Sequence, residues 1–202
     1  FTEAIRLEPN NSVFLSNRGA SKEKKGEIEG AILDFTETLR LNPNDSRAYA
    51  NLGSMKKIKG DVEGAMLDFT EVIRLNPSYP TAYNNRGITL CELKRCEEAL
   101  GDFEQAIVLN PNGCDAYSNR GTLLSKWKRY EEALRDYEQA IALNANYAEA
   151  HWNKALLKLL ALQSDRSLHR EQVLGAFWAS LKPSAAAANL RKILFDLRAE
   201  FT

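Results

Sequence analysis

Five short strings of near-identical sequence recur along this chain at one constant interval. LEPNN ends at Asn11, LNPND at Asp45, LNPSY at Tyr79, LNPNG at Gly113 and LNANY at Tyr147, each 34 residues after the last. Pro9, Pro43, Pro77 and Pro111 hold one register, and Ala145 takes the fifth place. Other columns keep the same step. Gly19, Gly53, Gly87 and Gly121 form one, continued by Ala155; Ala31, Ala65, Ala99 and Ala133 form another; Phe1, Phe35, Phe69, Phe103 and Tyr137 form a third. A step of this size describes a unit too small to bury its own apolar faces, so neighbouring units must stack.

Each unit reads as two helices. In the third, Pro80 stands where a first helical residue tolerates proline, and a helix is predicted from about Thr81 to Lys94. A second is predicted from about Cys96 to Leu109, ending before Pro111 because the residue ahead of proline is pushed out of the helical region. Ala99, Phe103, Ala106 and Ile107 then lie on one helical face. Small residues at Gly87 and Ala99 let the paired helices approach closely, with Phe103 filling the space beside them.

The 34-residue period, the aromatics Tyr49, Tyr83 and Tyr117 at the fourth position, the Gly, Ala and Phe/Tyr columns and the closing proline resemble the tetratricopeptide repeat family. The resemblance implies an all-α fold, a right-handed α-solenoid with C-terminal capping helices. Four full units cover 12–45, 46–79, 80–113 and 114–147. Residues 1–11 read as the end of a preceding second helix and 148–163 as a fifth first helix, so the solenoid spans 1–163. A chain opening half-way through a unit reads as a fragment. Beyond residue 163 the register fails, with Ser167 in the alanine column and Glu171 in the aromatic one. Two more helices are expected in 164–202, over about Leu168–Leu181 and Ala185–Phe201. They cap the solenoid end or fold back into its groove.

In this family the first helices line a concave groove, which makes another protein's extended peptide or helix the expected ligand. Asn17, Asn51, Asn85, Asn119 and Asn153 occupy the sixth position of successive units. Helix propensity gives no reason for asparagine five times over, whereas its amide carries a donor and an acceptor that match a peptide backbone. The column resembles the asparagine ladder of the repeat domain of O-linked N-acetylglucosamine transferases. Arg47, Asn84 and Ser118 are the expected flanking contacts. The family's carboxylate clamp for acidic chaperone tails needs lysine at fifth and asparagine at ninth positions of one unit. Here those positions hold Ser16, Ala50, Asn84, Ser118 and Trp152, and Ala20, Ser54, Ile88, Thr122 and Leu156. A free carboxylate would lack its charge-assisted partners. Trp152, Leu156, Leu159 and Leu160 form an apolar patch on the fifth helix, expected to lie beneath the C-terminal segment or to meet a partner.

Arg18, Arg86, Arg120 and Lys154 recur at the seventh position, and Asp34, Asp68, Asp102 and Asp136 recur on the second helices. They read as structural ion pairs. Leu52 interrupts the basic column, so at least one aspartate must find another partner.

Lys plus Arg and Asp plus Glu each number 27, which removes the basic excess that phosphate-backbone binding requires. No apolar run reaches the length of a membrane span. Three cysteines, Cys91, Cys96 and Cys114, with no CxxC spacing and only two distant histidines, give no metal set and suit reduced thiols in a cytoplasmic protein. No nucleophile–base pair and no phosphate-binding glycine loop is present, so no catalytic residues and no cofactor are expected. The alternatives are a substrate-recognition fragment of a larger enzyme, such as a glycosyltransferase, and a structural module that self-associates as a homodimer through its end helices.

Overall fold

A computed structural model describes residues 6–164, with side chains beyond Ala155 given only for Leu157. After helical residues 6–7 come α1 (Ser12–Lys24), α2 (Ile28–Leu41), α3 (Ser46–Lys59), α4 (Val62–Leu75), α5 (Pro80–Glu92), α6 (Cys96–Leu109), α7 (Cys114–Lys126), α8 (Tyr130–Leu143) and α9 (Ala148–Ser164). No strand occurs among the described residues. The expected C-terminal cap lies, from residue 165 on, outside them, as do Phe1 and the side chains of Leu156, Leu159 and Leu160.

Each hairpin starts and stops for local reasons. Asn11 accepts the Val13 and Phe14 amides ahead of α1, and Asp45 accepts the Ala48 amide ahead of α3 at 3.0 Å. Such caps satisfy amides that the helix leaves unpaired. Pro80 is the first residue of α5. Second helices end at Asn42, Asn76, Asn110 and Asn144, whose side-chain oxygens accept the amide two residues on, at 3.4, 3.3, 3.3 and 3.1 Å. This Asx turn redirects the chain into the next unit.

The turn inside each hairpin demands a left-handed residue. Gly26 and Gly60 supply it, with φ of 76° and 88°, and Lys94 and Lys128 supply it in the third and fourth units, both with φ of 61°. This is why α5 stops at Glu92, short of the expected Lys94. A left-handed conformation costs an L-residue about 1–2 kcal/mol, partly offset by the extra freedom glycine has when unfolded. Lys94→Gly should therefore stabilise by about 0.5–1 kcal/mol, a rise of about 2 °C in Tm by circular dichroism. Gly60→Lys should lower it.

The core is a column of aromatic rings on small residues. Phe35, Phe69, Phe103 and Tyr137 are buried, as are Ala31, Ala65, Ala99 and Ala133. Each ring lies against its unit's glycine: a Cβ on Gly19, Gly53, Gly87 or Gly121 would come within 2.9, 3.1, 2.7 or 2.8 Å of it. The glycine column thus seats the ring itself, a closer role than the backbone approach expected from sequence.

The units join in chain order, with each second helix packing on the next first helix. First helices of adjacent units also touch, α1 with α3, α5 with α7 and α7 with α9, whereas second helices do not meet comparably. The stack therefore bends around α1, α3, α5, α7 and α9, whose outward faces form the concave side.

Candidate functional site: the concave face

The charged columns close into pairs that stiffen each hairpin. Arg18 grips Asp34 at 2.8 and 2.6 Å, Arg86 grips Asp102 at 2.8 and 2.7 Å, and Arg120 grips Asp136 at 2.8 and 2.7 Å, each through two nitrogens. Two-point contact of this kind fixes geometry as well as charge. Lys154 instead meets Glu138 at 2.9 Å. Where Leu52 breaks the column, Lys56 reaches Asp68 from one turn later, 2.8 Å from Oδ2 but without hydrogen-bond alignment. The aspartates respond oppositely. Burial pushes Asp34 up, yet the two Arg18 hydrogen bonds and the Lys22 ammonium 2.9 Å away outweigh it and leave the carboxyl below its ordinary range. At Asp68 burial wins over Lys56, and the carboxyl is raised.

The five asparagines divide into two groups. Asn119 Nδ2 donates to Asn84 Oδ1 at 2.9 Å, linking the third and fourth units. Asn153 Nδ2 donates to Thr122 Oγ1 at 3.2 Å, linking the fourth and fifth. Thr122 gives its own proton to the Ser118 carbonyl at 2.9 Å, and the Tyr137 hydroxyl reaches it at 3.4 Å, so this threonine has no capacity left. Among the described residues Asn17, Asn51 and Asn85 make no side-chain hydrogen bond. Asn17 is exposed; Asn51 and Asn85 are half-buried.

The flanking expectations fare unevenly. Arg47 is exposed on the first turn of α3. Asn84 borders a shallow cleft of about 60 Å³ with Asn110 and Asp115, and its oxygen is committed to Asn119. Ser118 is corrected: its side chain is fully buried and its hydroxyl has no partner, so it does not face the groove. A position shared by successive units does not share depth, because residues on the neighbouring helices differ. Glu92 on α5 pairs with Lys57 on α3 at 3.2 Å, across two first helices.

A larger cleft of about 270 Å³ is lined by Arg120, Arg129 and Arg135 against Glu104, Glu132 and Asp136, so its charges cancel. Neither cleft reaches the roughly 300–1,000 Å³ of a small-molecule site. Among the described residues no three His, Cys, Asp or Glu side chains gather as metal ligands, and no helix is long and apolar enough to cross a membrane. What the stack offers is an extended polar surface.

Tetratricopeptide repeat models match residues 46–79, 81–110 and 114–147. The chain belongs to the tetratricopeptide repeat family. No curated protein matches it in sequence. Among solved structures, YrrB, described as a TPR protein with an unusual peptide-binding site, is 20% identical with a TM-score of 0.70, covering 95% of this chain and 97% of that one. MamA from Desulfovibrio magneticus RS-1, residue 41 to its end, is 19% identical at a TM-score of 0.70, covering 85% and 97%. The first TPR of Spaghetti (RPAP3), bound to the HSP90 peptide SRMEEVD, is 26% identical at 0.56, covering 58% of this chain and 93% of that one. The likenesses to YrrB and MamA show the same all-α solenoid fold.

Proposed function

We propose that this chain is a protein-interaction scaffold that holds an extended segment of a partner against its concave face, chiefly through Asn17, Asn51 and Asn85. The observation that carries this reading is the division of the asparagine column. Three amides at one position per unit are uncommitted, while Asn119 and Asn153 fasten first helices to each other. An amide offers one donor and one acceptor face to a peptide backbone, so such a row holds an extended chain with little regard to its side chains. Repeat solenoids present extended concave surfaces of this kind. The peptide-binding site of YrrB and the peptide bound to RPAP3 support a peptide as the ligand class. The acidic heptapeptide held by RPAP3 is a poor model for this groove, because the clamp's fifth- and ninth-position cations and amides are replaced by Ser16, Ala50, Ala20 and Ser54.

The test is a triple substitution, Asn17→Ala, Asn51→Ala and Asn85→Ala, compared with the parent in pull-downs and then in titrations of a captured partner. Each lost amide contact is worth about 0.5–1.5 kcal/mol, so affinity should drop by roughly ten- to a thousand-fold with the fold unchanged by circular dichroism. Equal capture by a folded triple variant would sink the proposal. Asn119→Ala and Asn153→Ala should instead lower Tm.

A further inference from the structure

The third unit alone carries sulfur at both of two positions that the hairpin turn brings together. Cys91 lies in the last turn of α5 and Cys96 opens α6; the other units hold Glu23 and Ile28, Lys57 and Val62, and Ser125 and Tyr130 there. The Arg95 amide donates to the Leu90 carbonyl at 2.9 Å and the Lys94 amide to the Cys91 carbonyl at 3.1 Å. The chain reverses there, and residues 91 and 96 are the next neighbours of the hydrogen-bonded pair 90 and 95. Both are free, half-buried thiols packed against the cluster of Leu90, Ala99, Phe103 and Leu123. Burial first, and then the neighbouring Cys96, push the Cys91 thiol up to about 11. Cys114 stands apart, at the start of α7.

We propose that Cys91 and Cys96 are a redox site, closing to an intramolecular disulfide that clasps the two helices of the third unit. The oxidant is a hydroperoxide. The sulfur of one deprotonated cysteine attacks the terminal peroxide oxygen, the O–O bond breaks, and a sulfenic acid forms as water leaves. The second sulfur attacks that sulfenic sulfur and displaces its hydroxyl as a second water. Two thiols and one hydrogen peroxide thus give one disulfide and two waters. Whichever sulfur is oxidised first, the other lies beside it to resolve it. A thiol reductant reverses the bond by exchange.

The test oxidises the full chain carrying Cys114→Ser with hydrogen peroxide, blocks free thiols and digests with trypsin, which cuts after Lys94 and Arg95. The expected product is residues 87–94 linked to 96–120 within a monomer, lost on adding dithiothreitol, with Tm raised by about 5 °C. Oxidised but unlinked cysteines, or a link found only between two molecules, would overturn the proposal. Peroxide should leave the Tm of Cys96→Ser unchanged, and a rise matching the parent's would also overturn it. The unsubstituted chain gives the same reading when a protease cutting at Asp102 separates Cys96 from Cys114.

Discussion

Phe103→Ala is expected to destabilise the chain by about 3–5 kcal/mol, read as a lower urea midpoint and a lower Tm. The ring is buried and rests on the Gly87 backbone, among Leu90, Ala99 and Leu123. Removing it leaves a void that helices held by their own hairpin cannot collapse into. Gly87→Ala in the parent attacks the same contact from the other side. Its methyl would meet ring atoms at 2.7, 2.9 and 3.1 Å, and the ring cannot bend away, so about 1–3 kcal/mol is lost by overpacking. In the Phe103→Ala background the same methyl has room, and Gly87→Ala should become neutral or stabilising. A double-mutant cycle should therefore show coupling of about 1–3 kcal/mol. Simple additivity would mean that the glycine column serves something other than the ring.

Asp102→Asn should cost about 2–4 kcal/mol, whereas Asp68→Asn should cost at most about 1 kcal/mol and can be stabilising at neutral pH. Asp102 holds Arg86 through two hydrogen bonds, and losing its charge strands a guanidinium that is only partly solvated. Asp68 has an ammonium nearby without hydrogen-bond alignment, and Lys56 can swing to water. The pH dependence separates the aspartates by sign. Asp34 is depressed in the folded chain, so its stabilisation is complete above the unfolded carboxyl pKa and is lost as pH falls through its lower folded value. Asp68 is raised in the folded chain, so its charged form costs stability above that raised value. The cost fades as pH falls toward the unfolded value. The advantage of Asp68→Asn should be largest near pH 7 and shrink under acid, as measured by urea unfolding at both ends. A constant difference between variant and parent would contradict this account of Asp68.

The stacking was legible because its causes repeat. Phe35, Phe69, Phe103 and Tyr137 keep step with Gly19, Gly53, Gly87 and Gly121, and ring and glycine touch in every unit. The ion pairs were legible for the same reason, down to the gap at Leu52. Lys56 was not foreseen as the replacement, because it reaches Asp68 from one turn further along α3 rather than from the column position. The left-handed turns were half visible: glycine announces Gly26 and Gly60, but lysine at 94 and 128 announces nothing. Packing strong enough to hold the hairpin overrides local preference there. The concave face was legible in register and not in commitment. All five asparagines share a column, yet whether an amide is free depends on its neighbour. Asn84 and Thr122 engage Asn119 and Asn153, whereas Ser16 and Ala50 do not occupy their neighbours in this way.

The most direct test of the proposed binding mode is a nuclear magnetic resonance titration of the asparagine side-chain amides with a captured partner segment. The account predicts that the Asn17, Asn51 and Asn85 amide signals shift with one saturating affinity. The Asn119 and Asn153 signals, already hydrogen-bonded between units, should move less. Saturable binding that leaves all three free amides unshifted, or that moves only residues on α2, α4, α6 and α8, would contradict it.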